Sequence, residues 1–309
     1  MKVPLIAISG RNSFNRQTRQ QNIIIWGRGR DKLIVPSPRE HYYYMKGDGE
    51  LYSVLGKSRK VPYKKHLVEN ASELNPDLIG PLAKIDGVTN NELERVCIEH
   101  PDFFTDFAAS EPSSLGFDLE VHSIDGNFPS GEKHPIVAIG VVTGAGDRMV
   151  FNWDGESDKK AILDFLNFVK EYDPDILYGY NVIGYDFPQL FARAKINGIQ
   201  PKPYLNREKN ATFGWESDLS YHKRAKLQAW GRIVVDVYNF VGRDYALSGQ
   251  SKSLKNVSRI YGLNPLELDF AAKDILEYAP EEIKEYVLSD CDCTKFLYNH
   301  YFPQHKFIA

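Results

Sequence analysis

The chain has few cysteines and no long apolar segment, and these absences exclude several classes of protein. Only Cys97, Cys291 and Cys293 occur among 309 residues, a count that argues against a disulfide framework and favours a reducing setting. Cys291 and Cys293 have the wrong spacing and too few partners for a zinc site. No apolar run reaches the length of about 18 residues that a membrane span requires, and the apolar start is too short for a signal peptide. We therefore expect a protein that is neither secreted nor inserted in a membrane.

A strong overall charge is also absent, but the charge is unevenly distributed. The net charge is −3, yet residues 1–65 hold 14 Lys/Arg against 4 Asp/Glu and the remainder holds 24 against 37. Residues 26–30 and 39–44 mix basic with aromatic side chains, which suits contact with phosphates and stacking on bases. Solvated loop charges and tyrosines packed on a strand are the alternatives. The distribution favours a basic, polyanion-binding segment joined to an acidic body.

Periodicity predicts two regions of different architecture. The leading third favours short strands between turn-rich segments, over Pro4–Ser9, Asn22–Gly27, Lys32–Val35 and His41–Met45. From Leu115 onward, strands alternate with helices. The predicted strands are Leu115–Val121, Pro135–Thr143, Arg148–Trp153, Asp175–Tyr180 and Arg232–Tyr238, and the predicted helices are Asp158–Tyr172, Asp186–Asn197, Leu254–Tyr261 and Pro280–Tyr301.

Three short acidic segments lie on these predicted elements in a fixed order. They are Phe117–Glu120 (Phe-Asp-Leu-Glu), Asn181–Asp186 (Asn-Val-Ile-Gly-Tyr-Asp) and Tyr286–Asp290 (Tyr-Val-Leu-Ser-Asp). The two carboxylates of the first segment share one face of a strand, because side chains alternate there with a period of two. The phenol and the carboxylate of the third are four residues apart on a helix and share a face.

The segments supply four carboxylates and a phenol that together indicate metal chemistry. Four carboxylates gathered in a globular core repel one another, and such a cluster persists only if cations neutralise it. Hard oxygen ligands suit Mg²⁺ or Mn²⁺, and paired divalent ions are a known means of cleaving phosphodiesters. We therefore predict a nuclease with two Mg²⁺ or Mn²⁺ ions. Its candidate catalytic residues are Asp118, Glu120, Asp186, Tyr286 and Asp290.

The order of the segments closely resembles the exonuclease motifs of family B DNA polymerases, the archaeal and viral enzymes among them. Those motifs are Phe-Asp-x-Glu, Asn-x₃-(Phe/Tyr)-Asp and Tyr-x₃-Asp, and the resemblance covers residues 115–300. Gly231–Tyr238 resembles the strand that these polymerases carry between the second and third motifs. The resemblance implies a β-rich, nucleic-acid-binding domain over residues 1–106. It further implies an α/β, ribonuclease-H-like 3′→5′ exonuclease domain over residues 107–309, with a mixed five-stranded sheet and flanking helices.

The resemblance also implies a role for each site residue. Asp118 would bridge the two ions, Glu120 and Asp290 would complete the shell of the first, and Asp186 would support the second through water. Tyr286 would orient the attacking water by a hydrogen bond. The resemblance further implies substrate contacts for Leu119, Asn181, Tyr185 and Phe187.

Two positions distinguish this chain within the wider group. A sister class places a histidine five residues before the last aspartate, where this chain has Glu285, so the tyrosine version is favoured. Many family members follow the Asp-x-Glu with Thr or Ser, which contacts the single-stranded end, whereas this chain has Val121. The substitution bears on affinity for the terminal nucleotide and leaves the metal site unchanged.

Structural alternatives remain for these residues on the sequence alone. Asp118 and Glu120 could be exposed strand carboxylates, and Asp186 could cap a helix. Asp290 could be a surface residue for which its neighbour Asp292 is the true ligand, although the spacing from the tyrosine selects Asp290.

Two further polar residues have a structural interpretation. Asn181 could contact the terminal nucleotide or could only terminate a strand. We interpret Asp236, on the predicted fifth strand, as structural and not as a ligand.

The polymerase motifs Asp-x-x-Ser-Leu-Tyr-Pro-Ser and Tyr-Gly-Asp-Thr-Asp-Ser are absent from the chain. We expect a fragment or subunit of a polymerase, or a free-standing exonuclease, located in the cytoplasm or at the nucleoid. Its expected partners are a single-stranded 3′ end or primer–template DNA, and palm, fingers and thumb domains on another subunit or on the same polypeptide. A non-catalytic DNA-binding or scaffold subunit and an RNA-directed exonuclease on the same fold are the alternatives.

Overall fold

The computed structural model divides the chain into two compact units, residues 1–111 with 306–309 and residues 112–305. The domain boundary predicted between residues 106 and 107 stays a prediction. The structure describes residues 9–15, 20–26, 32–36, 41–52, 62–69, 99, 112–123, 128–207, 214–216, 226–229, 231–270 and 272–302.

The described elements of the first unit are β-strands, as predicted for this part of the chain. Strands β1 (Ser9–Asn15), β2 (Gln20–Trp26) and β3 (Lys32–Pro36) form an antiparallel sheet in that order. Strands β4 (His41–Tyr52) and β5 (Pro62–Val68) pair antiparallel, with a shift of register inside β4. The predicted strand over residues 4–9 lies outside the described residues except for its last position. Neither β1 nor β5 was predicted.

The second unit is built on a mixed five-stranded sheet. Its strands are β6 (Ser114–Val121), β7 (Ile136–Thr143), β8 (Arg148–Asn152), β9 (Ile176–Gly179) and β12 (Ile233–Asp236). They lie in the order β12-β9-β6-β7-β8, with β6, β7 and β8 antiparallel and with β9 and β12 parallel to β6. Short strands β10 (Gly214–Glu216) and β11 (Lys226–Gln228) form a separate pair. The predicted α/β class and mixed five-stranded sheet are confirmed.

Helices connect and flank these strands. They are α1 (Lys159–Tyr172), α2 (Asp186–Ile196), α3 (Lys202–Leu205), α4 (Val237–Val241), α5 (Leu254–Ile260) and α6 (Pro280–Tyr301). The predicted fifth strand is too long, because the Asp236 side chain accepts a hydrogen bond from the N–H of Tyr238 and starts α4 there. In the described parts of the chain, no helix combines the length and the apolar character that crossing a membrane would require.

The two faces of the sheet are covered by different helices. On β6, Leu115, Phe117 and Leu119 are buried in the core that contains α1 and α2. The opposite face is covered by α6, whose Val287 and Cys291 lie over β7. Because a Cβ atom at Gly140 would lie 2.8 Å from Cγ2 of Val287, only glycine allows this close approach. The cross-strand partner of that glycine on β6 is Asp118, so the close contact brings α6 next to a candidate ligand.

A buried charge network joins α1 to α2, the helix that begins at Asp186. The Asp158 side chain has no exposed surface and accepts hydrogen bonds from the N–H of Ile136 at 3.0 Å and from Asn197 Nδ2 at 2.8 Å. Arg193 donates to the same carboxylate through Nε at 2.6 Å and Nη2 at 3.0 Å. Because the carboxylate is fully bonded, it can be charged inside the core.

Arg193→Met is therefore expected to destabilise the unit by about 3–5 kcal/mol, because it leaves a buried charge without its partner. Urea unfolding followed by circular dichroism measures the change. Lys160→Met is the matched control, since Lys160 and Asp164 form an exposed ion pair, and such a pair contributes about 1 kcal/mol or less. Equal losses in the two variants would contradict this description of the network.

Candidate metal centre

Strand β6 contributes two of the acidic side chains. Asp118 and Glu120 lie on the α6 side of the sheet, and both are half-buried. Their cross-strand partners on β7 are Gly140 and Ala138, and the absence of a side chain at Gly140 lets α6 approach the sheet beside them. Carboxylate oxygens of Asp118, Glu120 and Asp290 all lie within 4.8 Å of one another. The structure thus brings together residues that are more than 160 positions apart in the sequence.

The fourth carboxylate, Asp186, lies at the open edge of β6. Strand β9 pairs with β6 as far as Gly116 and ends at Gly179, which leaves the next part of that edge unpaired with β9. There the N–H of Leu119 donates to Asp186 Oδ1 at 3.2 Å. Asp186 is 2% exposed and is the first residue of α2, so it is not the helix cap that the sequence left open. It lies beside the three-carboxylate group.

Helix α6 supplies Asp290 and Tyr286 from one face. It begins with Pro280 and two glutamates, and the N–H of Ala279 donates to Glu282 Oε2 at 2.8 Å, an arrangement that stabilises a helix start. Asp290 is 8% exposed. Its neighbour Asp292 pairs instead with Arg148 at 3.1 Å on the surface, which agrees with the choice of Asp290 from the spacing.

A lysine on α5 contacts this pair. Lys255 Nζ donates to Asp290 Oδ1 and lies 4.2 Å from the centre of the Tyr286 ring. Its charge offsets part of the carboxylate charge and also interacts favourably with the ring. Ser253 caps α5 by accepting from the N–H of Asn256, which fixes the start of the helix that carries the lysine.

Burial raises the pKa of every carboxylate in the group, and repulsion from the other members adds to the rise for Asp118 and Glu120. For Asp118 the rise in pKa comes first from loss of solvent and then from Asp186, Asp290 and Glu120. Burial also raises the pKa of Glu120 and of Asp290, with Lys255 opposing the rise in both. Burial raises the pKa of Asp186 to about 7. The ionised form of the cluster is therefore costly unless further positive charge is present.

Asp118, Glu120 and Asp290 open onto a cavity of 460 Å³. Leu119, which is 4% exposed, and Tyr185, both predicted substrate contacts, contribute to its walls. Val121, the position at which this chain departs from the family pattern, lies there too, and Ser123 follows two residues later. The full lining is Asp118, Leu119, Glu120, Val121, Ser123, Pro129, Tyr185, Phe270, Lys273, Asp274, Ile275 and Asp290.

Two predicted substrate contacts lie elsewhere. Phe187 is 1% exposed, and its ring packs 5.1 Å from that of Phe117 in the core, so it supports the wall of the site from behind. Asn181 is exposed on the turn before α2 with a φ of 60°. Its Oδ1 lies over Gly184, where a Cβ atom would be 2.4 Å away, so any other residue at that position would displace the Asn181 side chain.

The acidic motifs did not identify Lys255, Phe270, Lys273 or Phe128 as residues of the site. The segment that carries Phe270 and Lys273 reaches the cavity through tertiary folding, and no local periodicity marks it. Phe128 is 82% exposed and lies 5.7 Å from the Tyr185 ring. The one signal for Phe128 in the sequence was an aromatic residue shortly after the first motif.

Comparison with known proteins agrees with this geometry. Residues 148–257 match the family described as DNA polymerase family B, exonuclease domain. The matched span contains the second acidic motif, and the first and third motifs flank it.

The sequence is similar to those of curated DNA polymerases. A DNA polymerase from Archaeoglobus fulgidus is 31% identical over 199 residues, which cover 63% of this chain and 23% of that protein. The DNA polymerase delta catalytic subunit of Oryza sativa subsp. japonica is 29% identical over 200 residues, which cover 54% of this chain and 18% of that protein. The chain thus spans about a quarter or less of the length of these relatives.

A solved structure is similar in fold. The family B DNA polymerase from the hyperthermophilic archaeon Pyrobaculum calidifontis aligns with a TM-score of 0.59 and 20% identity, over 97% of this chain and 45% of that one. The matched family over residues 148–257 and the polymerase relatives support an exonuclease region of the family B DNA polymerase type in this chain.

Proposed function

We propose that this chain is a divalent-metal-dependent exonuclease that removes nucleotides from the 3′ end of single-stranded DNA. The observation that carries the proposal is the convergence of Asp118, Glu120 and Asp290 within 4.8 Å, with Asp186 beside them. A buried group of this kind, with raised pKa values, is typical of a site that functions with bound cations.

The residues present fit hard divalent ions. Carboxylate oxygens are the ligands that Mg²⁺ and Mn²⁺ prefer, and the charge of the carboxylates is partly offset by Lys255, which pairs with Asp290. Asp118, Glu120 and Asp290 would hold one ion, and Asp118 with Asp186 would hold a second. Two bound ions would supply activation of the attacking water and charge stabilisation at the leaving 3′ oxygen.

Tyr286 would act as a hydrogen-bond donor toward the attacking water. Burial, followed by repulsion from Glu120 and Asp290, raises the pKa of its phenol above the ordinary value, so the hydroxyl keeps its proton at neutral pH. A protonated phenol orients an acceptor but does not remove a proton from it. Lys255 and Phe270 both contact its ring, at 4.2 Å and 5.4 Å from its centre, and limit the positions that the ring can adopt.

The rim of the cavity supports an unpaired strand as the substrate. Tyr185 and Phe270 contribute aromatic side chains to the lining, and Phe128 extends the aromatic surface beside Tyr185. Stacking of a base on an aromatic ring contributes about 1–3 kcal/mol and is available only to bases that have left the duplex. Lys273 adds a positive charge where a phosphate would lie.

The polymerase relatives suggest the wider setting of this activity. Because the chain spans a small part of their length, a palm, fingers and thumb on the same polypeptide or on another subunit are the proposed partners, with primer–template DNA as their shared substrate. The basic residues 1–65 are the proposed DNA-binding surface of the leading domain.

In the absence of divalent ions, the free energy of unfolding is expected to fall by about 1–4 kcal/mol between pH 5 and pH 8. A group whose pKa is raised by folding stabilises the folded state at pH values below its unfolded pKa of about 4. That contribution is lost as the pH rises through the folded pKa, which for Asp186 is about 7. Urea unfolding at each pH measures the change.

Mn²⁺ or Mg²⁺ at 100 times its dissociation constant should raise the free energy of unfolding by about 2.7 kcal/mol at pH 8. Asp118→Asn is the control, because it removes one charge from the cluster and should flatten the pH dependence. A stability that is constant from pH 5 to pH 8 and insensitive to divalent ions would contradict the proposed charge repulsion.

Asp290→Ala should reduce hydrolysis of a 5′-labelled single-stranded DNA oligonucleotide by at least 10³-fold, because it removes one carboxylate from the metal site. Asp292→Ala is the matched control, since it removes an exposed carboxylate two residues away that pairs with Arg148, and it should leave the rate unchanged. Gel analysis with Mg²⁺, with Mn²⁺ and with a chelator should show shortening one nucleotide at a time from the 3′ end.

Matched oligonucleotides separate the alternatives. An RNA strand degraded as fast as DNA would indicate an RNA-directed enzyme, and tight DNA binding without metal-dependent hydrolysis would indicate a binding subunit. Robust cleavage by the double variant Asp118→Ala with Glu120→Ala would overturn the metal assignment.

A further inference from the structure

Asp236 forms hydrogen bonds in two directions from the end of β12. Its Oδ1 accepts from the N–H of Asn181 at 2.9 Å and from the N–H of Tyr238 at 3.1 Å. Its Oδ2 accepts from the N–H of Ile183 at 3.1 Å. The side chain is 7% exposed, and it belongs neither to the three-carboxylate group nor to the cavity lining. One carboxylate therefore joins α4 to the turn of the second acidic motif.

The turn that Asp236 holds has an unusual backbone. Asn181 has a φ of 60°, a left-handed conformation that is uncommon for residues other than glycine. The carbonyl of Asn181 accepts from the N–H groups of Gly184 at 3.0 Å and Tyr185 at 2.9 Å. These bonds satisfy the carbonyl of Asn181, whereas the N–H groups of Asn181 and Ile183 donate to Asp236. Without that carboxylate, two N–H groups of a strained turn lose their acceptors.

The same turn sets the position of two residues of the site. Tyr185 follows it and contributes to the cavity wall. Asp186 comes next, and its Oδ1 accepts from the N–H of Leu119 on β6, between the two carboxylates of that strand. A displacement of the turn therefore moves Asp186 relative to Asp118 and Glu120.

We propose that Asp236 is a positioning residue for hydrolysis, which acts through the turn 181–185 to hold Asp186 against β6. This inference rests on the proposed function, because Asp186 is taken as part of the metal site. Helix capping alone does not require the arrangement, since a single oxygen caps α4 and a serine would also serve as a cap. The second oxygen and two of the three hydrogen bonds serve the turn.

Asp236→Asn is the most direct test. An asparagine keeps one oxygen for the cap but presents an NH₂ group, which cannot accept a hydrogen bond, in place of the other oxygen. Steady-state hydrolysis of single-stranded DNA across a Mn²⁺ titration should show kcat lowered about 10- to 100-fold and half-maximal activation at higher Mn²⁺. The KM for DNA should change much less, because only Tyr185 of the cavity wall follows the turn, whereas Phe270 and Lys273 stay in place.

Asp244→Asn is the matched control. Asp244 also caps a short helical turn, accepting from the N–H of Ala246 at 2.9 Å, and it contacts Tyr261 and Tyr301 away from the acidic motifs. This variant should keep the kcat and the Mn²⁺ midpoint of the unmodified chain. Asp236→Ser, which retains only the cap, replaces the asparagine variant if that variant does not fold, and it should show the same kinetic defect.

Two measurements that do not depend on turnover complete the test. Hydrogen exchange followed by mass spectrometry should be faster in residues 181–186 of Asp236→Asn, with the exchange of β6 and β7 unchanged. Calorimetric titration with Mn²⁺ alone should show weaker binding.

Wild-type values of kcat, Mn²⁺ midpoint and exchange in this variant would overturn the inference. If the unmodified chain hydrolyses nothing, the proposed function fails, and the Mn²⁺ affinity and exchange of the variant still decide whether Asp236 positions the site.

Discussion

Repulsion among closely spaced, partly buried carboxylates is the constraint on which the rest of the second unit depends. Asp118, Glu120 and Asp290 lie within 4.8 Å, Asp186 adjoins them, and burial raises the pKa of all four. A fold tuned for stability alone would replace such a group with apolar side chains. Its presence beside the cavity supports the proposed cation binding, for which stability would be given up.

The surrounding structure consists of contacts that keep these acids together despite their repulsion. Glycine at position 140 lets α6 lie close to β7, which brings Asp290 to the face of β6. The early end of β9 exposes the N–H of Leu119, which binds Asp186. Asp158 with Arg193 joins α1 to α2. Each contact involves only a few atoms, but together they fix groups that are distant in the sequence.

Much of this arrangement could be predicted from the sequence, because it depends on local periodicity. Alternation along a strand placed Asp118 and Glu120 on one face, and the four-residue spacing on a helix joined Tyr286 to Asp290. The N-terminal strands β1 and β5 were missed, since their apolar residues do not alternate clearly with polar ones. The fifth strand was predicted too long because an apolar run does not reveal that Asp236 caps a helix there.

The contacts that could not be predicted depend on tertiary folding. Lys255 meets Asp290 across 35 residues, and no motif links them. Phe187 follows Asp186 directly, yet its ring packs against Phe117 in the core, because successive residues of helix α2 point in different directions. The sequence shows which residues form the turn at Asn181. It does not show that the N–H of Asn181 finds its acceptor in Asp236, 55 positions later. Such pairs are determined by how strands and helices pack together rather than by local pattern.

Anomalous X-ray scattering from crystals grown with Mn²⁺ tests the central claim most directly. We expect a manganese peak bounded by oxygens of Asp118, Glu120 and Asp290, with a second peak between Asp118 and Asp186. Peaks confined to other parts of the surface, or carboxylates that point away from one another with no ion between them, would contradict it.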